Sequence, residues 1–362
     1  MEFLFQPRLF NKKEIHPITI PGNRVEKVSI TFLAFFLIFW VSSISAIDIK
    51  EKDIHTTKGI SVGIWTMTNT KKMGSIIDLV EKTELNALVI DVKDAGGNLI
   101  FDWVNNLDLL IQELRKRNIY LIGRIAVFKD SRLAVKKPSL ALKRKQGGFW
   151  IDNLGGKWVD PCAQEARSYV VEIAKKAIKV GFDEINFDYI RFPSEGNLKE
   201  IVYPIWNQKI SKNSVIRECF EYFNEKLKPL GKPLSIDFFA YSVFCNCDLG
   251  VGQKFADTFD YFDYLCPMIY PSHYSKGNFG FSNPAEHPYE VVYKTLSKAN
   301  KIILESKINT KIRPWLQDFD LGAKYTNKMI RLQKKAVYDV LGERAEWLLW
   351  NPTNAYTKEA ID

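Results

Sequence analysis

The stretch Gly181–Pro193, GFDEINFDYIRFP, shows in miniature how the chain is built. A helical stretch ends on Gly181, the return Val180–Asp183 is short, and an apolar, β-rich run begins at Glu184. The helix in front has its own markers. Asp160 is placed to cap it, Pro161 falls in its first turn, and Val170, Val171, Ile173, Ala174, Ala177 and Ile178 line one side. The run itself carries Glu184, Asn186, Asp188 and Arg191 among its apolar residues. Charged side chains inside a strand are costly to bury unless they are paired or perform chemistry.

Outward from this unit the same alternation of strand and helix recurs. Strands are predicted over Gly59–Trp65, Ala87–Asp94, Ile119–Lys129, Glu184–Phe192, Leu234–Val243, Tyr264–Tyr270, Ile312–Phe319 and Trp347–Asn351. That is the number a closed parallel barrel needs, and such barrels commonly use about 250 residues. The 362 residues, 46% hydrophobic and 26% charged, accommodate one (β/α)8 TIM barrel over residues 59–362 after a polar linker at 48–58. A doubly wound open sheet would also alternate in this way. It would want a glycine-rich phosphate turn, and neither G-x-G-x-x-G nor a Walker A loop occurs.

Upstream of the linker, a basic arm at residues 1–27, with Arg8, Lys12, Lys13, Arg24 and Lys27, leads into the uncharged run Val28–Ile47, VSITFLAFFLIFWVSSISAI. About 20 residues suffice to cross the hydrocarbon core as a helix. Bases in front of it predict a cytoplasmic N-terminus and an exported barrel. An uncleaved transmembrane anchor is the favoured reading because the arm is longer than a usual signal-peptide n-region. A cleaved signal peptide is the rival, with small residues at Ser43, Ser45 and Ala46, and would make the barrel secreted or periplasmic.

A net charge of +9 would suit an anionic partner, and the bases cluster once. Lys129, Arg132, Lys136, Lys137, Lys143, Arg144 and Lys145 face one acid, Asp130, in a segment that reads first as a solvated loop and otherwise as a contact for an anionic polymer. No zinc-finger, RNP-like or basic-zipper signature accompanies it, so nucleic acid is not an expected partner. Cys162, Cys219, Cys245, Cys247 and Cys266 lack zinc-ribbon or redox spacing, and Cys162 and Cys266 read as small buried residues. Of the histidines, His16 and His55 precede the barrel, leaving His273 and His287. No histidine-rich metal site and no cofactor are expected, while a carboxylate-only Mg or Ca site is left open by the sequence. No G-x-S-x-G elbow occurs either.

Long segments after the third, fourth and sixth strands mark the working face, since strand-to-helix loops build the site in such barrels. They carry Trp150, Trp158, Trp206, Tyr274, Phe279 and Phe281, which suit stacking on sugar rings or anchoring of the loops. Acids recur at strand ends: Asp91 and Asp94 with Lys93 in VIDVKD, Asp188 in EINFDYIRFP, Asp237 in LSIDFF, and Asp318 with Arg313, Trp315 and Gln317 in RPWLQDF. Paired carboxylates flanking a bond are what glycoside hydrolysis requires. Structural ion-pair layers inside the barrel are the competing explanation. It weighs more for Asp91 and Glu184, which fall early in their strands.

The runs DVKDAGG at Asp91, RIAVFKD at Arg124, VDPC at Val159, GFDEINFDYIRFP at Gly181, CPMIYPSHY at Cys266 and RPWLQDF at Arg313 resemble the putative glycoside hydrolase domain family, barrel proteins distantly similar to the α-amylase superfamily. The resemblance covers about residues 58–355. By strand position it implies Asp188 as nucleophile, Asp237 as acid/base and Asp318 as transition-state stabiliser. It departs from the α-amylase pattern in carrying Asp rather than Glu on strand five. Asn186 also stands two residues before Asp188, where an Arg is usual, and Arg191 follows instead. Lys93, Asp94, Arg124, Arg191, Tyr270, His273, Trp315, Gln317 and Asn351 are the implied substrate-binding residues. Combined with the N-terminal anchor reading, the expected function is an extracytoplasmic, membrane-tethered glycoside hydrolase acting on a polysaccharide. A tethered, non-catalytic carbohydrate-binding barrel is the alternative.

Overall fold

A computed structural model describes residues 56–361 except Asn246. The basic arm, the apolar run Val28–Ile47 and most of the linker lie outside the described residues. Among the described residues no helix is long and apolar enough to cross a membrane.

Eight parallel strands close into a barrel. They are β1 (Lys58–Val62), β2 (Ala87–Lys93), β3 (Tyr120–Ala126), β4 (Glu184–Asp188), β5 (Leu234–Phe239), β6 (Tyr264–Met268), β7 (Trp315–Gln317) and β8 (Trp347–Trp350). β1 pairs with both β2 and β8, while β7 joins β8 to β6 through Trp315 and Met268. A short strand at Lys311–Ile312 runs beside β6 just ahead of β7. Each strand lies in a segment that the sequence pattern predicts, except that β1 begins one residue earlier, at Lys58. The strands stop earlier than predicted where the backbone turns: β4 ends at Asp188 because Tyr189 takes a φ of 52°. That conformation breaks the extended ladder.

The main outer helices are α1 (Thr70–Glu81), α2 (Leu107–Lys116), α3 (Gln164–Val180), α4 (Lys212–Leu227), α5 (Pro288–Ser306) and α6 (Asn327–Leu341). Side chains of Asn69, Ser211 and Thr326 accept hydrogen bonds from first-turn amides of α1, α4 and α6, supplying partners that the helices cannot. The expected cap of α3 is corrected: Ala163 holds that position. Asp160 instead accepts from the amides of Cys162, Ile205 and Trp206, each at 2.9 Å, and so joins the loop after β3 to the loop after β4. Gly181 does terminate α3, with a φ of 122°. Between β5 and β6 the described chain forms only 3-10 turns at Ala240–Phe244 and Phe255–Thr258, so the outer layer departs from one α-helix per strand.

Alternate strand residues serve different cores. Ile185 and Phe187 of β4 face outward into the strand–helix layer, where Phe187 stacks on Phe223 of α4 at 5.0 Å. Val89, Ile122, Cys266, Trp315 and Leu348 form a separate apolar cluster within the barrel. A charged layer shares that interior. Arg313, fully buried, grips Glu184 with both Nη atoms at 3.0–3.1 Å and donates from Nε to Glu346 at 2.8 Å. Tyr120 and Ser235 donate hydroxyl hydrogen bonds to Glu184, and the Tyr264 ring lies 3.7 Å from the guanidinium. Glu184 is therefore a structural ion-pair residue, as its early place in the strand predicts. Removing the cation would strand two buried carboxylates. Arg313→Met is expected to lower unfolding free energy by about 3–5 kcal/mol, the range for breaking a buried pair, in urea titrations. A loss below about 1 kcal/mol would show that this layer does not hold the barrel closed.

Candidate active site at the C-terminal end of the barrel

Register sets the site. Asp91 of β2 pairs with Arg124 of β3, and Asn186 and Phe187 of β4 pair with Ser235 and Ile236 of β5, which brings Asp188 beside Asp237. Side chains paired in register on parallel strands share a face. Asp91, Arg124, Asp188 and Asp237 accordingly converge at the C-terminal ends of four consecutive barrel strands.

Arg124 is the centre of the group. Its Nη1 meets Asp91 Oδ1 at 2.5 Å, its Nη2 donates to Asp188 Oδ2, and its Nε stands 3.8 Å from Asp237 Oδ2. Burial opposes the guanidinium's charge, yet Asp91, Asp188 and Asp237 hold its pKa well above the ordinary value. Asp188 Oδ1 accepts from the amide of Tyr189 at 2.6 Å, a contact made by the same left-handed residue that ends β4. Asp237 is buried and accepts on Oδ1 from Asn186 Nδ2 at 2.9 Å and Trp315 Nε1 at 2.8 Å. Burial, then the neighbouring charge of Asp188, pushes its carboxyl up to about 8 against the opposing pull of Arg124, Asn186 and Trp315. Burial likewise raises Asp91, with Arg124 opposing.

With both N–H donors on Oδ1, the proton of a neutral Asp237 belongs on Oδ2. Asn186 also donates to Ser235 Oγ at 3.1 Å, and Ser235 donates to Glu184, so a hydrogen-bonded relay connects the site to the charged layer beneath it.

Of the residues implied by the resemblance, Asp188, Asp237, Arg124 and Trp315 come together here. Tyr270 lies close by: its hydroxyl is raised well above its usual range by burial, then by Asp237 and Asp188, and its ring packs on Trp350 and His273. His273 is half-buried beside Ser272, and burial pushes its imidazole down to about 4. Others hold loops. Lys93 is buried on Asp130 at 2.8 Å, and Asp94 accepts from the amides of Gly96 and Asn98. In that turn Gly97 has a φ of 85°, and a Cβ there would fall 2.0 Å from Asp130 Oδ1. Gln317 accepts from Ser272, and Asn351 donates to the carbonyls of Asp318 and Ala355. Asp318 accepts from the amide and hydroxyl of Thr357, both at 2.8 Å, and so secures the C-terminal segment at the end of β7.

Sequence reasoning gave less weight to Asp91, which stands in the cluster, and left Asn186 out of the candidate site. Its place two residues before Asp188, on the same strand face, was the available signal. The loop aromatics mostly anchor: Trp150 and Trp158 are buried, Trp206 packs on Phe192 and Tyr203, and Phe281 stacks on His287 at 3.9 Å. The exposed pair is elsewhere. Trp65 after β1 and Trp103 after β2 meet edge to face at 4.8 Å, 56% and 41% exposed. Cys219 and Cys266 are buried thiols, Cys162 is half-buried, and Cys245 is bonded to Cys247. Among the described residues no group of three or more His, Cys, Asp or Glu is placed to hold a metal ion.

Among solved structures, those matching with TM-scores of 0.50 or more agree on the fold. A hypothetical protein from Ruminiclostridium thermocellum ATCC 27405 is 35% identical over 49% of this chain and 96% of its own, with a TM-score of 0.44. The PgaB (BpsB) glycoside hydrolase domain from Bordetella bronchiseptica is 11% identical, covers 85% of this chain and 99% of its own, and has a TM-score of 0.59. The alpha-galactosidase TtGalA from Thermus thermophilus is 14% identical with a TM-score of 0.50; the match covers 84% of this chain and 63% of that enzyme. No curated protein matches the sequence. A family model described as "Putative glycosyl hydrolase domain" matches residues 59–356. That span takes in all the barrel strands and the whole aspartate–arginine cluster, and the chain therefore belongs to this glycosyl hydrolase family.

Proposed function

We propose that this chain is an extracytoplasmic glycoside hydrolase that cleaves a polysaccharide with Asp188 and Asp237 as its acting pair. The observation that carries the reading is the unequal treatment of these two carboxylates. Asp188 faces the Arg124 guanidinium directly, whereas Asp237 is buried, lies farther from it and has its carboxyl raised to about 8. A buried acid that keeps its proton beside a carboxylate facing a guanidinium suits a division of labour between acid and nucleophile.

In this reading Asp237 Oδ2 passes its proton to the glycosidic oxygen as the bond from the anomeric carbon to that oxygen breaks. Asp188 closes on the anomeric carbon to form a glycosyl ester. Asp237, now ionised, takes a proton from the incoming water, which cleaves the ester and restores both residues. Asn186 and Trp315 hold Asp237 in orientation through Oδ1, and Asp91 holds Arg124. The acids occupy matched positions on adjacent strands about 4.8 Å apart. That spacing favours the short carboxylate separation of about 5–5.5 Å used by retaining enzymes. Asp318 serves to fix the C-terminal segment around the site.

The exported location rests on the basic arm followed by Val28–Ile47 as an uncleaved anchor. The Cys245–Cys247 disulfide suits an oxidising compartment.

Screening against a polysaccharide panel should release reducing ends. Asp188→Asn is expected to lose turnover by orders of magnitude with its fold intact, and Asp237→Asn by about 10²–10⁴-fold. Binding without turnover by the parent chain would favour the non-catalytic barrel instead. Proton NMR of the first product should show the anomer of the substrate.

Activity should fall as pH rises through about 8, where Asp237 loses the proton it must donate. Stability should follow. A carboxyl whose folded pKa lies above its unfolded one favours the fold at low pH and forfeits that advantage between about 4 and 8. Melting temperatures of Asp237→Asn relative to the parent should therefore climb across that window, and a constant difference would argue against a raised Asp237 carboxyl.

Carbonate washing should leave the full-length protein on membranes, and external protease should release the barrel. A soluble mature chain beginning near Ile47 would identify a cleaved signal peptide.

A further inference from the structure

Arg191 stands three residues beyond Asp188 and is 5% exposed. Its guanidinium packs against Phe239 at the end of β5, at 4.6 Å, and against Tyr189 and Trp158 at 5.1 and 5.2 Å. Nη1 donates to Phe192 O and Ser194 Oγ, both at 3.1 Å, while Nε and Nη2 have no acceptor among the described residues. Among the described residues, no carboxylate lies within ion-pair distance of Arg191. The comparison with the other interior arginines is direct: Arg313 holds Glu184 and Glu346, Arg167 meets Glu218, and Arg124 meets three aspartates. Lys129, the other cation on the Tyr189 and Trp158 rings, is matched by Asp152 at 2.7 Å. One largely buried positive charge near Asp188 is therefore left without a contacting counter-ion, feeling Asp188, Glu195 and Asp152 only at longer range, a costly arrangement unless something supplies one.

The free edge of the guanidinium, Nε with Nη2, is a fork that fits two oxygens of one oxyanion. Burial pulls the pKa of Arg191 below its ordinary value, yet a guanidinium remains charged at any physiological pH. The surroundings favour the same ligand. Lys136, Arg144 and Lys145 are exposed on the basic segment after β3. That segment is laddered through Lys143–Arg144 to Ile201–Val202, in the loop that follows Arg191. Such a rim raises the local concentration of a polyanion.

Resting on the hydrolase reading above, we propose that the substrate is an acidic polysaccharide and that Arg191 binds the oxyanion of the sugar beside the scissile bond. A uronate carboxylate and a sulfate or phosphate ester share this chemistry. A neutral polymer would leave the arginine without a contacting counter-ion.

The test uses the full-length chain carrying Asp188→Asn, so that bound polymer persists, and calorimetric titration with paired probes. These are polygalacturonate, alginate and hyaluronate against their carboxyl-reduced forms, and a sulfated galactan against its desulfated form. At least one acidic member should bind about 10- to 100-fold more tightly than its neutral partner, the span expected for a charge-assisted fork. Arg191→Met should abolish that preference and Arg191→Lys should restore part of it. Which pair responds tells carboxylate from sulfate. Equal binding within every pair, binding of no acidic member, or a preference that survives Arg191→Met would overturn the proposal. The parent comparison within each pair stands even if Arg191→Met does not fold. Acid-selective binding with no reducing ends released by the unmutated chain would sink the hydrolase reading and keep this one. Hydrolysis of a neutral polymer that is indifferent to Arg191→Met would do the reverse.

Discussion

Glu184, Asn186 and Asp188 occupy one face of a single five-residue strand, and closing the barrel turns that whole face inward. A closed parallel barrel offers its interior little water, so each polar group placed there must find a partner from another strand. Most of the functional architecture follows from this constraint. Glu184 is answered by Arg313 from the segment before β7, Asn186 by Ser235 and Asp237 from β5, and Asp188 by Arg124 from β3. The three positions thereby acquire three different characters: a sealed structural pair, a positioning amide and an acid at the mouth.

The two arginine layers contrast in a way that supports placing the proposed chemistry in only one. Around Arg313 the guanidinium is surrounded by two glutamates and ring faces, and the arrangement is fully buried. Around Arg124 three aspartates compete for one cation in a half-open setting, and Asp237 receives the weakest share of its charge. Competition for a single positive charge, combined with burial, is what separates the properties of the carboxylates. The relay through Asn186 and Ser235 ties the Arg124 layer to the buried Arg313–Glu184 layer, so that Asp237 is hydrogen-bonded from below.

Loops complete the site by joining to one another before they join the barrel. Asp160 spans from the loop after β3 to Ile205 and Trp206 in the loop after β4, Trp150 donates to Asn197 O, and the short antiparallel ladder at Lys143–Arg144 adds a third connection. This explains why several aromatics in those loops are buried and why Asp160 does not cap α3. Both residue types were needed to hold two long excursions together. An aromatic in a barrel loop is equally suited to stacking on a sugar or on its own loop, and nothing local distinguishes the two.

The sequence alone determined the barrel, because strand and helix periodicities are local properties of successive residues: each of β1 to β8 overlaps a predicted run, and Gly181 closes α3 where its lack of a Cβ permits a φ of 122°. It also marked Asp188 and Asp237 among several acids at strand ends, visible without any contact map, and the resemblance by strand position drew out these two with Asp318. Only the tertiary structure decided which acids share a cation. Asp91, Asp94 and Asp318 look alike along the chain, yet one meets Arg124, one ties a turn and one secures Thr357. Those partners lie tens of residues or more away for Asp91 and Asp318, and depend on strand register, which carries no local signature. Arg191 is the plainest case: its sequence neighbours mark it as charged, and only the packed fold shows that no carboxylate within the described chain comes to meet it.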